Sequence, residues 1–258
     1  MRVALRALER LLLPNACVSC ERLVEPGRAD ELICTVCRSR LQALPAGCSR
    51  CRQPEPPVGP CRFCRDWPPA LRWVRSAVWL GEEARQLIHH MKYEGYPALA
   101  RAAAQIVTRT MPKPNGACLV PVPLGSKRLA RRGYNQAALL ARALAARWQL
   151  PVEAGLLRRV RETRSQTALA PDERRDNVAG AFSAPPAVGR CGGGAAAASA
   201  VGPGGGGGGV AIILIDDVLT TGATLVAAAH ALEEAGWDEI GAVTFARAMP
   251  YAQGLSPR

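Results

Sequence analysis

Asp216 and Asp217 stand side by side between an apolar run, Ile212 to Ile215, and a hydroxyl-rich turn, Thr220-Thr221-Gly222-Ala223-Thr224. Ionised carboxylates in that position can accept hydrogen bonds from the vicinal hydroxyls of a ribose. Backbone N–H groups from Thr220 to Thr224, with the threonine hydroxyls, can surround a terminal phosphate if a helix starts there and turns its positive end to the anion. The elements needed to hold these groups are legible. Ile212–Ile215 reads as a parallel strand covered on both faces, and Leu225 to Ala235 reads as a helix. A lone Asp-Asp pair would be no more than a helix cap, with Gly222 turning the chain. The whole order together points instead to a phosphorylated sugar. The spaced glycines and Gly-Lys-Ser/Thr of a nucleotide P-loop are absent, which disfavours an ATPase.

A second chemistry lies near the beginning. Cys17 and Cys20, Cys34 and Cys37, Cys48 and Cys51, and Cys61 and Cys64 form four CxxC pairs. Each pair can give two thiolates to one tetrahedral Zn2+, and two pairs close a site. Pro26-Gly27, Pro45, Gly47, Pro54 and Pro56-Pro57 leave room only for short hairpins, and the region is too poor in large apolar residues to fold on its own core. Disulfides would call for a secretory signal and a redox CxxC for one pair alone. Two closed structural zinc sites, each of four cysteines, are expected, paired sequentially in the simplest arrangement, with interleaved pairing left open. Cys118 and Cys191 are expected as free thiols.

The chain of 258 residues has a formal charge of +12, enough length for one α/β domain with a smaller module. Between Leu124 and Arg175 twelve basic residues face four acids, so a polyanion is the natural partner. Charge does not separate a diphosphate from nucleic acid. Met1 to Leu13 reads as a short amphipathic helix without a signal peptide's apolar core, and no segment approaches the ~20 apolar residues that span a bilayer. A cytoplasmic protein is expected.

Between the two chemistries the pattern predicts a strand over Trp73–Leu80, helices over Glu82–Tyr93 and Pro97–Thr110, and a strand over Ala117–Val122. A basic turn, a helix from Gln136 to about Trp148 and a strand over Leu156–Val160 come next. Arg161 to Arg175 reads as a polar, mobile hairpin, and Ala184 to Gly209 as a disordered Pro/Ala/Gly insertion. Glu239–Arg247 is the last strand. The domain reading is a double zinc-ribbon module over 1–68 and an α/β domain over 70–258, interrupted by the insertion at 184–209.

The Asp216-Asp217 stretch resembles the phosphoribosyl-diphosphate (PRPP) signature of the type I phosphoribosyltransferases. With the double zinc ribbon, Lys92-Tyr93-Glu94-Gly95, Pro121-Val122-Pro123, Arg132-Gly133-Tyr134-Asn135-Gln136, Gln166 and Arg174-x-x-Asn177-x-x-Gly180-Ala181-Phe182, the chain is similar to the ComF family, which includes the GntX-like proteins. The resemblance implies a mostly parallel sheet flanked by helices, with the ligand at the strands' carboxyl ends. It implies binding of PRPP or ribose-5-phosphate, with Mg2+ accompanying PRPP. Asp216 and Asp217 would hold the ribose, and Thr220, Thr221, Gly222, Ala223 and Thr224 the 5′-phosphate. Lys127 and Arg132 would meet the diphosphate, with Gln166 and Arg174 closing from the hairpin. The long tract from Ala184 to Gly209 departs from the family pattern.

Three functions follow. The first is a phosphoribosyltransferase, with links through the family to DNA uptake and natural transformation. The second is a single-stranded-DNA binder acting through the basic face, for which Trp148 and Tyr134 are isolated candidates as stacking platforms. The third is a scaffold of the competence machinery whose zinc module docks a helicase.

Overall fold

The computed structural model describes residues 16–24, 32–54, 59–93, 98–114, 118–163, 171–187 and 212–249, without the side chains of 171, 172, 174 and 175. The elements are α1 (Thr35–Ser39), β1 (Leu71–Trp79), α2 (Glu82–Tyr93), α3 (Leu99–Thr110), β2 (Cys118–Pro121), α4 (Ser126–Arg132) and α5 (Gln136–Trp148). They continue with β3 (Arg158–Arg159), α6 (Pro171–Val178), β4 (Phe182–Ser183), β5 (Ile212–Leu219), α7 (Ala223–Glu234) and β6 (Ile240–Arg247).

A parallel sheet in the order β1-β6-β5-β2 forms the centre, and Val152 extends it with a parallel bridge to Leu119. The continuous apolar run of β5 has its reason in two buried faces. Ile213 and Ile215 pack on one face against α2, α3 and α5, while Ile212 and Leu214 pack on the other against α7. Each face also takes one group of cysteines: Cys17 and Cys37 join the first core, and Cys48, Cys51, Cys64 and Trp67 the second. The segment between them runs along β1, with Trp79 N–H donating to Gln42 (2.8 Å) and Val74 N–H to Arg50 (2.8 Å). An edge that would otherwise present unpaired backbone groups is covered.

Several expectations change. The basic turn is the helix α4, which buries no residue and therefore shows no apolar stripe in the sequence; Gly133 ends it at φ +80°. The strand over Leu156–Val160 shortens to Arg158–Arg159, paired antiparallel with β4. Within the expected hairpin, residues 171–178 form α6. Cys118, expected as a free thiol, is disulfide-bonded. The helix over Met1–Leu13, Gly95, Gln166, Cys191 and residues 188–209 of the insertion lie outside the described residues.

Candidate ribose-phosphate site and cysteine clusters

The acidic pair does not follow β5; it lies within it. β2 stops at Pro121, the partner of Ile215, whereas β5 runs on beside β6 with Asp216 opposite Thr244. The place β2 leaves empty is a cleft of about 770 Å³. Asp216, Asp217, Thr220 and Thr224 line it together with Lys92, Lys127, Arg128, Arg131, Arg132 and Arg159. Six of the expected site residues thus meet in one cavity. Thr221 and Ala223 face a separate cavity of about 340 Å³ behind the turn. Gly222 caps α7 at φ +83°. Arg174 falls on α6 with its side chain outside the described part.

The two carboxylates are electrostatically unlike. Asp217 is 4% exposed; it pairs with Lys92 Nζ and accepts from Gln136 Nε2 at 3.4 Å. Burial pushes its pKa up, but the Lys92 charge and these hydrogen bonds outweigh burial and hold it below the usual value. Burial likewise pulls Lys92 down, and Asp217 more than reverses it. Asp216 is pushed well above the carboxylate range by burial and by the Asp217 charge, although its Oδ1 accepts the Asp217 N–H at 2.8 Å. The pair therefore favours its negative charge on Asp217 and its proton on Asp216.

Each residue of Arg132-Gly133-Tyr134-Asn135-Gln136 has a structural task here. Arg132 donates to Gln136 Oε1 and lies over the Tyr93 ring at 5.2 Å. Tyr134 Oη donates to Met91 O (2.7 Å), which fixes the end of α2 beside Lys92. Asn135 caps α5 by accepting from Ala137 N–H (3.0 Å), and it donates to Val122 O (2.9 Å), the turn after β2. Gln136 then reaches Asp217. Lys127 offers its side chain only, because its N–H donates to Glu162 (3.2 Å), which also accepts from Ser126 (2.8 Å). Lys92, Arg128, Arg131, Gln136, Arg159 and Glu162 were not expected at the site. Lys92 and Gln136 sit within motifs quoted above, but no sequence spacing reveals an ion pair between an α2 lysine and a β5 aspartate.

The eight paired cysteines form two groups, Cys17/Cys20/Cys34/Cys37 and Cys48/Cys51/Cys61/Cys64, each with its sulfurs within 4.8 Å of one another. Pairing is sequential. The Cys20–Cys34, Cys48–Cys64 and Cys51–Cys61 sulfurs lie 3.7, 3.6 and 3.6 Å apart, and none of the eight is in a disulfide. A tetrahedral metal with bonds of about 2.3 Å would place them about 3.8 Å apart. Cys34 N–H donates to Cys17 Sγ and Cys37 N–H to Cys34 Sγ, both at 3.3 Å, as thiolate ligands require. Burial pushes the Cys37 thiol up to about 12 and Cys51 to about 11, so thiolates there need a cation. Arg247, 1% exposed, donates to Cys51 O and directs its charge to Cys51, Cys61 and Cys64. Both groups fit a metal ion.

The phosphoribosyl transferase domain family matches residues 129–253. Competence protein ComFC of Bacillus subtilis is 30% identical over 127 residues, 45% of this chain and 53% of its own length. DNA utilization protein YhgH of Salmonella typhi is 29% identical over 160 residues, 58% of this chain and 70% of its own. Competence protein F of Haemophilus influenzae is 29% identical over 160 residues, covering 63% of its length. The parallel sheet, the matched domain and the acidic strand end define a type I phosphoribosyltransferase-like fold. With its two four-cysteine clusters, the chain resembles these ComF-type relatives beyond the matched transferase domain.

Proposed function

We propose that this chain binds PRPP with Mg2+ and transfers its phosphoribosyl group to an acceptor, within the DNA-utilization role its relatives' names describe. The chain divides for this purpose into a zinc module, 1–68, and a transferase domain, 70–258. The observation that carries the reading is that Asp216, Asp217, Thr220 and Thr224 line the same cleft as Lys127, Arg128, Arg131 and Arg132. Asp216 and Asp217 accept from the ribose hydroxyls, and the turn from Thr220 to Thr224 holds the 5′-phosphate. Lys127 and Arg132 hold the diphosphate through their side chains. Asp216 and Asp217, together with the ligand's own oxygens, form a hard-oxygen set that would hold Mg2+, and the ion would supply charge neutralisation for the departing diphosphate. The bond from the ribosyl carbon to diphosphate breaks, its electron pair leaves with diphosphate, and the acceptor's lone pair forms the new bond. No protein nucleophile is needed. In both clusters the metal is zinc, closed and structural.

The test is calorimetry with PRPP and Mg2+, followed by a nucleobase screen for diphosphate release. Binding with release on one base establishes transfer. Absence of PRPP binding refutes the reading.

A second reading has its own observation. α4 buries none of its residues, and Lys127 and Arg131 are exposed on it, so the helix can meet the phosphates of a single strand. The stacking platforms expected for it do not serve: Trp148 is 3% exposed, and Tyr134 is tied to Met91. Among the described residues lining the cleft, the aromatic ring is Tyr93, 56% exposed. Single-stranded DNA that competes with PRPP would place both ligands on the same cations.

A further inference from the structure

Trp67 follows the last cysteine of the second cluster, and the fold sets its ring beneath the Thr-Thr-Gly turn. A Cβ placed on Gly222 would lie 3.3 Å from Trp67 Cζ2, so the indole occupies the space that a side chain at this point of the turn would need. The ring is 7% exposed and is braced edge-on by Phe63, 5.5 Å away at 71°. Its backbone is tied to the cluster: Trp67 N–H donates to Cys64 O at 3.2 Å. Arg50, between Cys48 and Cys51, donates to Cys64 O (2.9 Å), Trp67 O (3.3 Å) and Pro68 O (2.7 Å). One side chain thus gathers both cysteine hairpins and the tryptophan.

A second link reaches the turn from its other end. Arg247, at the end of β6, donates to Cys51 O within the cluster. The next residue, Ala248, donates its N–H to Leu219 O at 2.8 Å, where β5 enters the turn. Among the described residues the first cluster shows no such connection, and Cys17 and Cys37 pack on the opposite face of the sheet with α2 and α3.

We propose that the second cysteine cluster, when metal-bound, sets the phosphate affinity of the site by holding the Thr220–Gly222 turn in place, with Trp67 and Arg247 as positioning residues. The inference rests on the reading of that turn as the 5′-phosphate cradle. A cradle of backbone N–H groups binds an anion only while they converge, and small displacements cost binding steeply. Loss of metal at the second cluster frees Cys51 and Cys64, and with them both braces. Loss at the first leaves the braces intact.

Ribose 5-phosphate is titrated calorimetrically into the full chain, with metal content and hydrogen exchange of the amides from 220 to 224 read on the same samples. Trp67→Ala should keep two metal ions, exchange faster in the turn and bind about tenfold more weakly; Trp67→Phe should restore most of the affinity. Cys61→Ser, losing the second metal, should match Trp67→Ala, whereas Cys20→Ser, losing the first, should bind like wild type. Trp67→Leu replaces the alanine variant if that chain does not fold. Wild-type affinity and exchange in Trp67→Ala, or equal losses from Cys20→Ser and Cys61→Ser, overturn the proposal while leaving the phosphate reading in place. A wild-type chain that ignores ribose 5-phosphate overturns both.

Discussion

Replacing Asp217 by Asn should destabilise this protein, while the same change at its neighbour Asp216 should not. Asp217 is 4% exposed and Lys92 keeps 23% side-chain exposure. Removing one member of a buried pair leaves the other charge uncompensated, at a cost of about 3–5 kcal/mol; the partial exposure of Lys92 puts this case near 3 kcal/mol. For a chain of this size the thermal midpoint should fall by about 6–12 °C. Asp216 is already biased toward its protonated form by burial and by Asp217. An amide is close to that neutral state, so Asp216→Asn should stay within about 1 kcal/mol of wild type. Lys92→Met combined with Asp217→Leu should recover most of the loss, because no lone charge remains.

The pH dependence follows in sign. Asp217 is depressed, so its stabilisation is present above its ordinary value of 3.8 and is lost as pH falls through the lower folded value. Lys92 is raised, so its share is complete below 10.5 and disappears as pH climbs through the higher folded value. The stability gap between wild type and Asp217→Asn should therefore be flat between those two ordinary values except where Asp216 ionises. There it should narrow as pH rises, because the Asp217 charge raises Asp216 only in wild type. Urea unfolding across that range, with metal content checked, measures it. Equal losses from the two aspartate variants, or none from Asp217→Asn, would refute the assignment of charge within the pair.

The raised pKa of Asp216 implies that a ligand needing its carboxylate releases a proton above pH 3.8 and below the raised value; the heat of PRPP binding should then vary with the buffer's ionisation enthalpy, and a buffer-independent heat would contradict this. Gly222→Ala places a Cβ at φ +83° within 3.3 Å of the Trp67 ring, and unfolding should show a loss of about 1–2 kcal/mol, with an unchanged midpoint counting against the turn geometry. Elemental analysis should find two zinc ions per chain and one in Cys61→Ser; a single ion in wild type would remove one cluster. Charge reversal at Arg128 and Arg131 should weaken single-stranded DNA binding and lower its salt slope by roughly 0.7 for each phosphate no longer neutralised, whereas salt-independent binding would exclude α4 as the surface.

The sequence by itself determined the elements whose side chains repeat a local rule. Ile212–Ile215 reads as a doubly covered strand because each alternate residue meets a core, and α2, α5 and β6 were legible for the same reason. CxxC spacing gave the ligands because two thiolates three residues apart are a local geometry. Elements without an apolar stripe carried no such signal: α4 buries nothing, and α6 is polar from Asp172 to Asn177, with Val178 at its end buried. The position of the acids within β5 also depended on a neighbour, since a strand's exposed end is defined by where β2 stops. Only the tertiary structure decided which charges meet. Lys92 with Asp217, Arg247 with the second cluster, and Trp67 with Gly222 join residues far apart in the chain, through contacts that exist only once helices and hairpins have packed on both faces of the sheet. Residue type fixed what chemistry was available, and packing fixed which carboxylate lies against Lys92 and which cysteine cluster is joined through Trp67 to the Gly222 turn.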